Sequence, residues 1–336
     1  MPGKRSLFTR VLFWALAVMV ASELGLRLFG YGNYVIYQPD QRLLWVPSPG
    51  HNLTIVNHKP ITISPDGFRY REKLGPKKAG QVRIFAFGDS STMGWGVDDD
   101  SNYSADLERL LNSRCSNHAF QVVSAGVNAY PNSIVIERTQ KVIEDGFQPD
   151  LVIVAYSFNT NLEGFADLQG SARQKLLRQV KLKALVRKSA IYDFLIEGVF
   201  RELVYYRVRH LLVAGSLDTT NANEVLDLAK FQSRLSDTLQ LCQSRNIQMV
   251  LLVLASEGQK AELHPFQKAM IEFAQAHKLP VVDMVESWRS KDHASLFMDH
   301  AHPSSEGHEL IAEQLFSTIR GVDSYCSSSA PQGQGE

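Results

Sequence analysis

Cysteine is scarce in this chain. Cys115, Cys242 and Cys326 are the only three, and no two stand in a C-x-x-C pair. Neither a thiolate zinc site nor a thioredoxin-like motif is supported, and an odd number cannot all pair. Net charge is lacking as well. Thirty-five basic residues balance thirty-five acidic ones, which removes the electrostatic signature of a nucleic-acid partner. The phosphate and metal signatures are also missing. Gly94 and Gly96 do not continue into G-x-G-x-x-G, no P-loop lysine is present, and H-E-x-x-H is absent. The run Asp98 to Asp100 reads as a solvated loop or helix start rather than a metal site. Asn-Gly hairpin signals and internal repeats are absent. No metal or organic cofactor is implied. What remains is a globular composition, 44% hydrophobic and 21% charged, over 336 residues, enough for one large domain or two small ones.

Long apolar runs are confined to the start. "MPGKRSLFTR" places Lys4, Arg5 and Arg10 ahead of "VLFWALAVMVASELGLRLFGYG". The uninterrupted run, Val11 to Ala21, matches a signal-peptide core. The segment continues past Glu23 and Arg27 into Leu24, Leu26, Leu28 and Phe29. Counted from Leu7 it is long enough to span a bilayer, with Arg27 snorkelling. Positive charge on the short leading side predicts that this end stays in the cytoplasm and the rest is exported. Residues 1–30 are therefore expected to form a signal anchor. Val20-Ala21-Ser22 is a cleavage site should the segment be removed instead.

Residues 31–80 carry proline, glycine and polar residues without long periodicity, and read as a spacer or accessory segment. "SPDGF", Ser64 to Phe68, is a turn in which proline presets one dihedral and glycine accepts the next. From Val82 the pattern changes. Near-continuous apolar runs at 82–87, 121–126, 150–156, 247–255 and 279–284 have the composition of strands buried on both faces of a parallel sheet. The stretches between them, such as "YSADLERLLNSR", carry apolar residues at three- and four-residue spacing. That alternation predicts an open α/β sheet with helices on both sides. A basic helical insertion is expected at about 162–223, either a solvated excursion or a cap over the site that touches anionic lipid. A disordered tail is expected at 321–336.

Three separate pieces of the sequence carry chemistry. The first, "FGDSSTMGWG", closes the first predicted strand and precedes a helix. A serine there stands at the edge of the sheet where α/β proteins bind ligands. The second is "MDHAHPSSEGH", Met298 to His308. A serine hydroxyl needs an imidazole to take its proton, and a carboxylate to hold that imidazole. Asp299 and His302 are spaced so that one turn presents both to one point. His300 and His308 compete for the role: His300 has its carboxylate immediately beside it, and His308 lies within a helix. The third piece is a set of oxyanion donors. Strand three ends in "AYSFNTN", which places Asn159 at the same edge, with Asn161 a second candidate. Strand two ends in "SAGVNAY", where a backbone N–H near Ala129 emerges.

With "FGDSSTMGWGV", "SAGVNAY", "YSFNTN" and "DHAH" together, residues 81–320 resemble an SGNH (GDSL-type) hydrolase, especially its membrane-anchored bacterial members. The resemblance implies a flavodoxin-like three-layer sandwich with a five-stranded parallel sheet in the order 2-1-3-4-5. It implies Ser90 as nucleophile, His302 as general base and Asp299 as its orienter. Its oxyanion hole would be the N–H of Ser90, the backbone N–H of Ala129 and the amide of Asn159. Two departures stand out. Ala129 replaces the family's usual glycine, and Ser157-Phe158-Asn159-Thr160 replaces its G-x-N-D.

A membrane-anchored, extracytoplasmic serine esterase acting on O-acyl esters of envelope glycans or lipids is the expected function. The alternatives are an O-acyltransferase with the same triad and a non-catalytic envelope protein on a degenerate hydrolase scaffold. The expected partners are the ester substrate and the membrane, with no nucleic acid.

Overall fold

The computed structural model describes residues 3–32, 37–50, 54–56, 59–115, 117–196, 199, 227–259, 262–322 and 326. Its centre is a parallel sheet of five strands: β5 (Gln81–Phe87), β6 (Ala119–Ser124), β7 (Leu151–Ala155), β8 (Gln248–Val253) and β9 (Val281–Asp283), in the spatial order β6-β5-β7-β8-β9. This is the expected 2-1-3-4-5 arrangement, on the strands that the apolar runs mark out. All five residues of β7 are buried, as are the last six of β5. Strands covered on both faces need no polar alternation, which is why these runs were legible.

The connections set the layers. The chain steps one way from β5 to β6 through α3 (Tyr103–Arg114). It steps back through α4 (Asn132–Glu144), α7 (Leu228–Ser244) and α8 (Pro265–His277). With right-handed crossovers, that reversal puts α3 on one face and α4, α7 and α8 on the other. The last helix, α11 (Ser305–Val322), returns to pack along α3. The reversal between β5 and β7 opens the crevice at their carboxyl ends, where ligands bind in such sheets.

Before the sheet come α1 (Gly3–Leu28) and two antiparallel hairpins, β1 (Tyr37–Asp40) with β2 (Leu44–Pro47), and β3 (Thr54–Val56) with β4 (Lys59–Ile61). Leu43, Leu44 and Phe68 from this segment belong to the main core. The segment between β7 and α7 begins with a 3-10 turn, Thr160–Asp167. It continues through α5 (Gly170–Val186) and the single turn α6 (Ala190–Asp193). The rest of the expected insertion, residues 197–198 and 200–223, lies outside the described residues, as does the tail from 327 onward. Cys115 and Cys326 form a disulfide, and Cys242 is buried and free.

Short helices complete the described elements: α2 (Ser90–Met93), α9 (Met284–Trp288) and α10 (His293–Leu296). From Leu7 to Leu28, α1 is long and apolar enough to act as a membrane anchor or a signal sequence, and none of that stretch is buried against the protein.

Candidate active site

The site grows from the turn between β5 and α2. Gly88 is required by close approach, since a Cβ there would meet Thr92 Oγ1 at 1.9 Å. Asp89 then caps α2, its Oδ1 accepting the Ser91 amide at 2.9 Å. Its Oδ2 accepts from the Phe158 amide (3.0 Å), Ser157 Oγ (3.1 Å) and Asn159 Nδ2 (3.1 Å). Burial pushes the Asp89 pKa above the ordinary carboxylate range even against these donors. Asp89 thus fastens the serine turn to the end of β7.

The loop between α10 and α11 supplies the partner. Phe297 and Pro303 form a bridge, and the Met298 amide donates to the His302 carbonyl at 2.9 Å. Inside this closed loop Asp299 Oδ1 accepts the amides of Ala301 (3.0 Å) and His302 (2.9 Å). The aspartate thereby folds its own turn, and the turn brings the ring of His302 back to it. His302 Nδ1 lies 2.8 Å from Asp299 Oδ2, and Nε2 lies 2.8 Å from Ser90 Oγ. An ionised carboxylate only accepts, so Nδ1 carries the proton and Nε2 is left to accept from the serine. Burial by itself would raise the Asp299 pKa. The hydrogen bonds from His302 and the two amides overcome it and hold the group below the usual carboxylate range.

The competing histidines are elsewhere. His300 is 70% exposed, with its Nδ1 3.9 Å from Asp299 Oδ1. His308 is fully buried in α11, where its Nδ1 accepts the Tyr103 amide at 3.3 Å.

The three expected oxyanion donors surround the same turn. Asn159 Nδ2 lies 3.1 Å from Asp89 and 3.3 Å from the Tyr130 carbonyl. Ser157 Oγ also lies 3.3 Å away, so both amide hydrogens have acceptors within the protein, and donating to an oxyanion requires the longer contacts to Tyr130 and Ser157 to give way. Asn161 is exposed in the 3-10 turn. Ala129 has φ +62°, in the left-handed region that glycine adopts freely. Alanine therefore keeps the glycine-like backbone at this position. No hydrogen bond to a described residue engages the amides of Ser90 or Ala129.

Three further residues escaped sequence reasoning. Ser91 is buried, and its Oγ donates to the Ala301 carbonyl at 3.0 Å, tying the Ser90 turn to the Asp299–His302 loop. Trp95 stacks on His302 with ring centroids 5.6 Å apart. Arg69 threads its buried guanidinium under the loop that holds Trp95, donating to the carbonyls of Met93, Gly94 and Val97 at 2.7–2.8 Å and to Asp99 at 3.0 Å. The tryptophan between two glycines was a visible signal. The other two contacts join distant segments and leave no local trace.

Beside Trp95 and Ala129 opens a pocket of about 490 Å³. The first hairpin gives it Tyr37 and Trp45, the 3-10 turn Leu162 and Phe165, and α5 Leu176, Val180 and Ala184. Asn128, Gln179, Lys183 and Arg187 supply its polar groups. An apolar chamber with few polar groups, bordered by the tryptophan that stacks on His302, has the make-up of a small-molecule site.

Fold and site together put the protein among ester-hydrolysing α/β enzymes. The chain belongs to the GDSL-like lipase/acylhydrolase family, whose model matches residues 86–310. Among solved structures it is similar to Axe2, an acetylxylan esterase from Geobacillus stearothermophilus, at 15% identity. That match covers 75% of this chain and 98% of Axe2, with a TM-score of 0.45. It is also similar to LAE5, an alpha/beta hydrolase enzyme from the metagenome of Lake Arreo, at 17% identity. Here 74% of this chain and 98% of LAE5 are covered, with a TM-score of 0.46. No curated protein matches the chain by sequence.

Proposed function

We propose that the protein is a serine esterase of the cell envelope, with Ser90 as nucleophile, His302 as general base and Asp299 as its orienter. The observation that carries this reading is the unbroken series Ser90 Oγ, His302 Nε2, His302 Nδ1, Asp299 Oδ2, with both links at 2.8 Å.

In the proposed reaction Ser90 Oγ attacks the ester carbonyl carbon as its proton passes to His302 Nε2. Charge on the carbonyl oxygen is met by the amides of Ser90 and Ala129 and by Asn159. The tetrahedral adduct collapses, the C–O bond to the alcohol breaks, and His302 returns the proton to the departing oxygen. Water then attacks the acyl-serine, again giving its proton to His302. The acid leaves and the Ser90 hydroxyl is restored.

Two features support an extracytoplasmic site. The basic residues precede the apolar helix. The Cys115–Cys326 disulfide is of a kind that persists in oxidising compartments. O-acyl esters of envelope glycans or lipids are then the substrates within reach.

Ser90→Ala is expected to lower p-nitrophenyl acetate hydrolysis by about 10³-fold or more while leaving the melting temperature unchanged. A serine-directed fluorophosphonate is expected to label Ser90 in the wild type alone. Equal hydrolysis by the two proteins would overturn the reading.

A further inference from the structure

The far wall of the 490 Å³ pocket is α5, through Val180 and Lys183, with Arg187 just past its end. One residue past Arg187 the chain meets α1. Arg27 Nη2 donates to the Lys188 carbonyl at 2.6 Å. The Glu23 carboxylate accepts the amides of Ala190 (2.8 Å) and Ile191 (3.1 Å) and the Ser189 hydroxyl (2.9 Å). Glu23 and Arg27 belong to the last two turns of α1. The 22 residues from Leu7 to Leu28 rise about 33 Å as a helix, close to the thickness of a bilayer's hydrocarbon core. The clamp therefore holds the α5–α6 junction at the level where α1 leaves the membrane.

A second observation is independent of that clamp. Outside α1 and the adjoining Phe29, the exposed large hydrophobic side chains among the described residues are Leu182, Leu185, Leu195 and Met298. Two of the four lie in the last turns of α5, ahead of the junction, and Leu195 follows α6. Leu182 and Leu185 are 62% and 67% exposed, and at i,i+3 spacing they share one face of α5. Lys181, Lys183 and Lys188 are interleaved with them. Exposed leucines among lysines have the composition of a helix that lies in a bilayer interface, with apolar side chains below the phosphates and cations among them.

We propose that α5 rests in the interface of the bilayer that α1 spans, on the side opposite the basic N-terminus. The pocket's occupant is then the acyl chain of a membrane lipid ester, drawn from that leaflet past α5 toward Ser90. The lysines suit an anionic leaflet. The proposal rests on the esterase reading above and on α1 as an anchor, and it names the substrate class of that site.

The test uses the full chain in vesicles of phosphatidylcholine and phosphatidylglycerol. Two substrates are compared: p-nitrophenyl acetate in the water phase, and 4-methylumbelliferyl oleate dissolved in the vesicles. The double variant Leu182→Glu, Leu185→Glu is expected to lose about tenfold or more of the oleate turnover and to keep its acetate rate within about twofold. A wild type that cleaves acetate but spares the oleate overturns the proposal and leaves the esterase reading intact. So does a double variant that turns over both substrates at the wild-type rate.

A second readout does not depend on catalysis. An NBD label on Leu185→Cys is expected to be quenched by spin-labelled phospholipid, whereas the same label on Gln314→Cys, exposed on α11, is not. Equal quenching at the two positions, or none at 185, overturns the interfacial placement even where Ser90 proves fully active. Loss of all Ser90-dependent hydrolysis with strong quenching at 185 would instead overturn the catalytic reading and, with it, the acyl-chain assignment.

Discussion

At the scale of single residues, the two adjacent serines divide the work by orientation. The Ser90 hydroxyl faces the imidazole, and the Ser91 hydroxyl turns inward to the loop that carries that imidazole. Ala129 shows a different economy. A left-handed alanine costs about 1–2 kcal/mol, part of which glycine would return as greater freedom in the unfolded chain. Ala129→Gly is therefore expected to leave the amide donor in place and stabilise the protein by about 0.5–1 kcal/mol, read from denaturant midpoints. Destabilisation would mean that the alanine methyl makes compensating contacts. Ser90, Asp299 and His302 were legible because each sits in a short motif whose neighbours give its context away. Ser91 and Arg69 were not, because their contacts exist only once segments up to 210 residues apart have met, and Trp95 between its two glycines was a signal that pointed to no particular partner.

At the scale of elements, α3 and α11 pack along each other and share a buried imidazole at the start of α3. His308 on α11 accepts the amide of Tyr103, the first residue of α3, and its ring lies 5.8 Å from that of Tyr103. Burial, with the charges of Arg69 and His302 nearby, depresses the His308 pKa from 6.5 to about 3. The folded protein therefore keeps His308 neutral where the unfolded chain would protonate it. Stability contributed by this joint is complete above pH 6.5 and is lost as pH falls from 6.5 toward about 3, at about 1.4 kcal/mol per pH unit. His308→Gln is expected to flatten that slope by about one proton in urea titrations across this window. An unchanged slope would place the acid sensitivity elsewhere. The sheet and its helices were readable as alternating apolar runs and amphipathic stretches. The β1–β2 hairpin was not, because Pro39 and Pro47 stand inside its strands and no Asn-Gly marks its turn.

At the scale of the whole molecule, the disulfide joins residues 211 positions apart. It ties the end of α3 to the chain just beyond α11, the helix that follows the Asp299–His302 loop. Cross-linking so long a loop removes much of the unfolded chain's freedom, worth about 2–5 kcal/mol. Dithiothreitol is therefore expected to lower the melting temperature, and Cys326→Ser to reproduce that lower value without further response to reductant. A melting temperature indifferent to reductant would show the two thiols unpaired in solution.

The same bond also leaves a mark that can be read on each molecule. Cys115 ends α3 and Cys326 lies just beyond α11, so the bond as it stands in the structure spans the two helices that pack together. A mobility difference between reduced and non-reduced samples on a gel would count the chains that carry this cross-link.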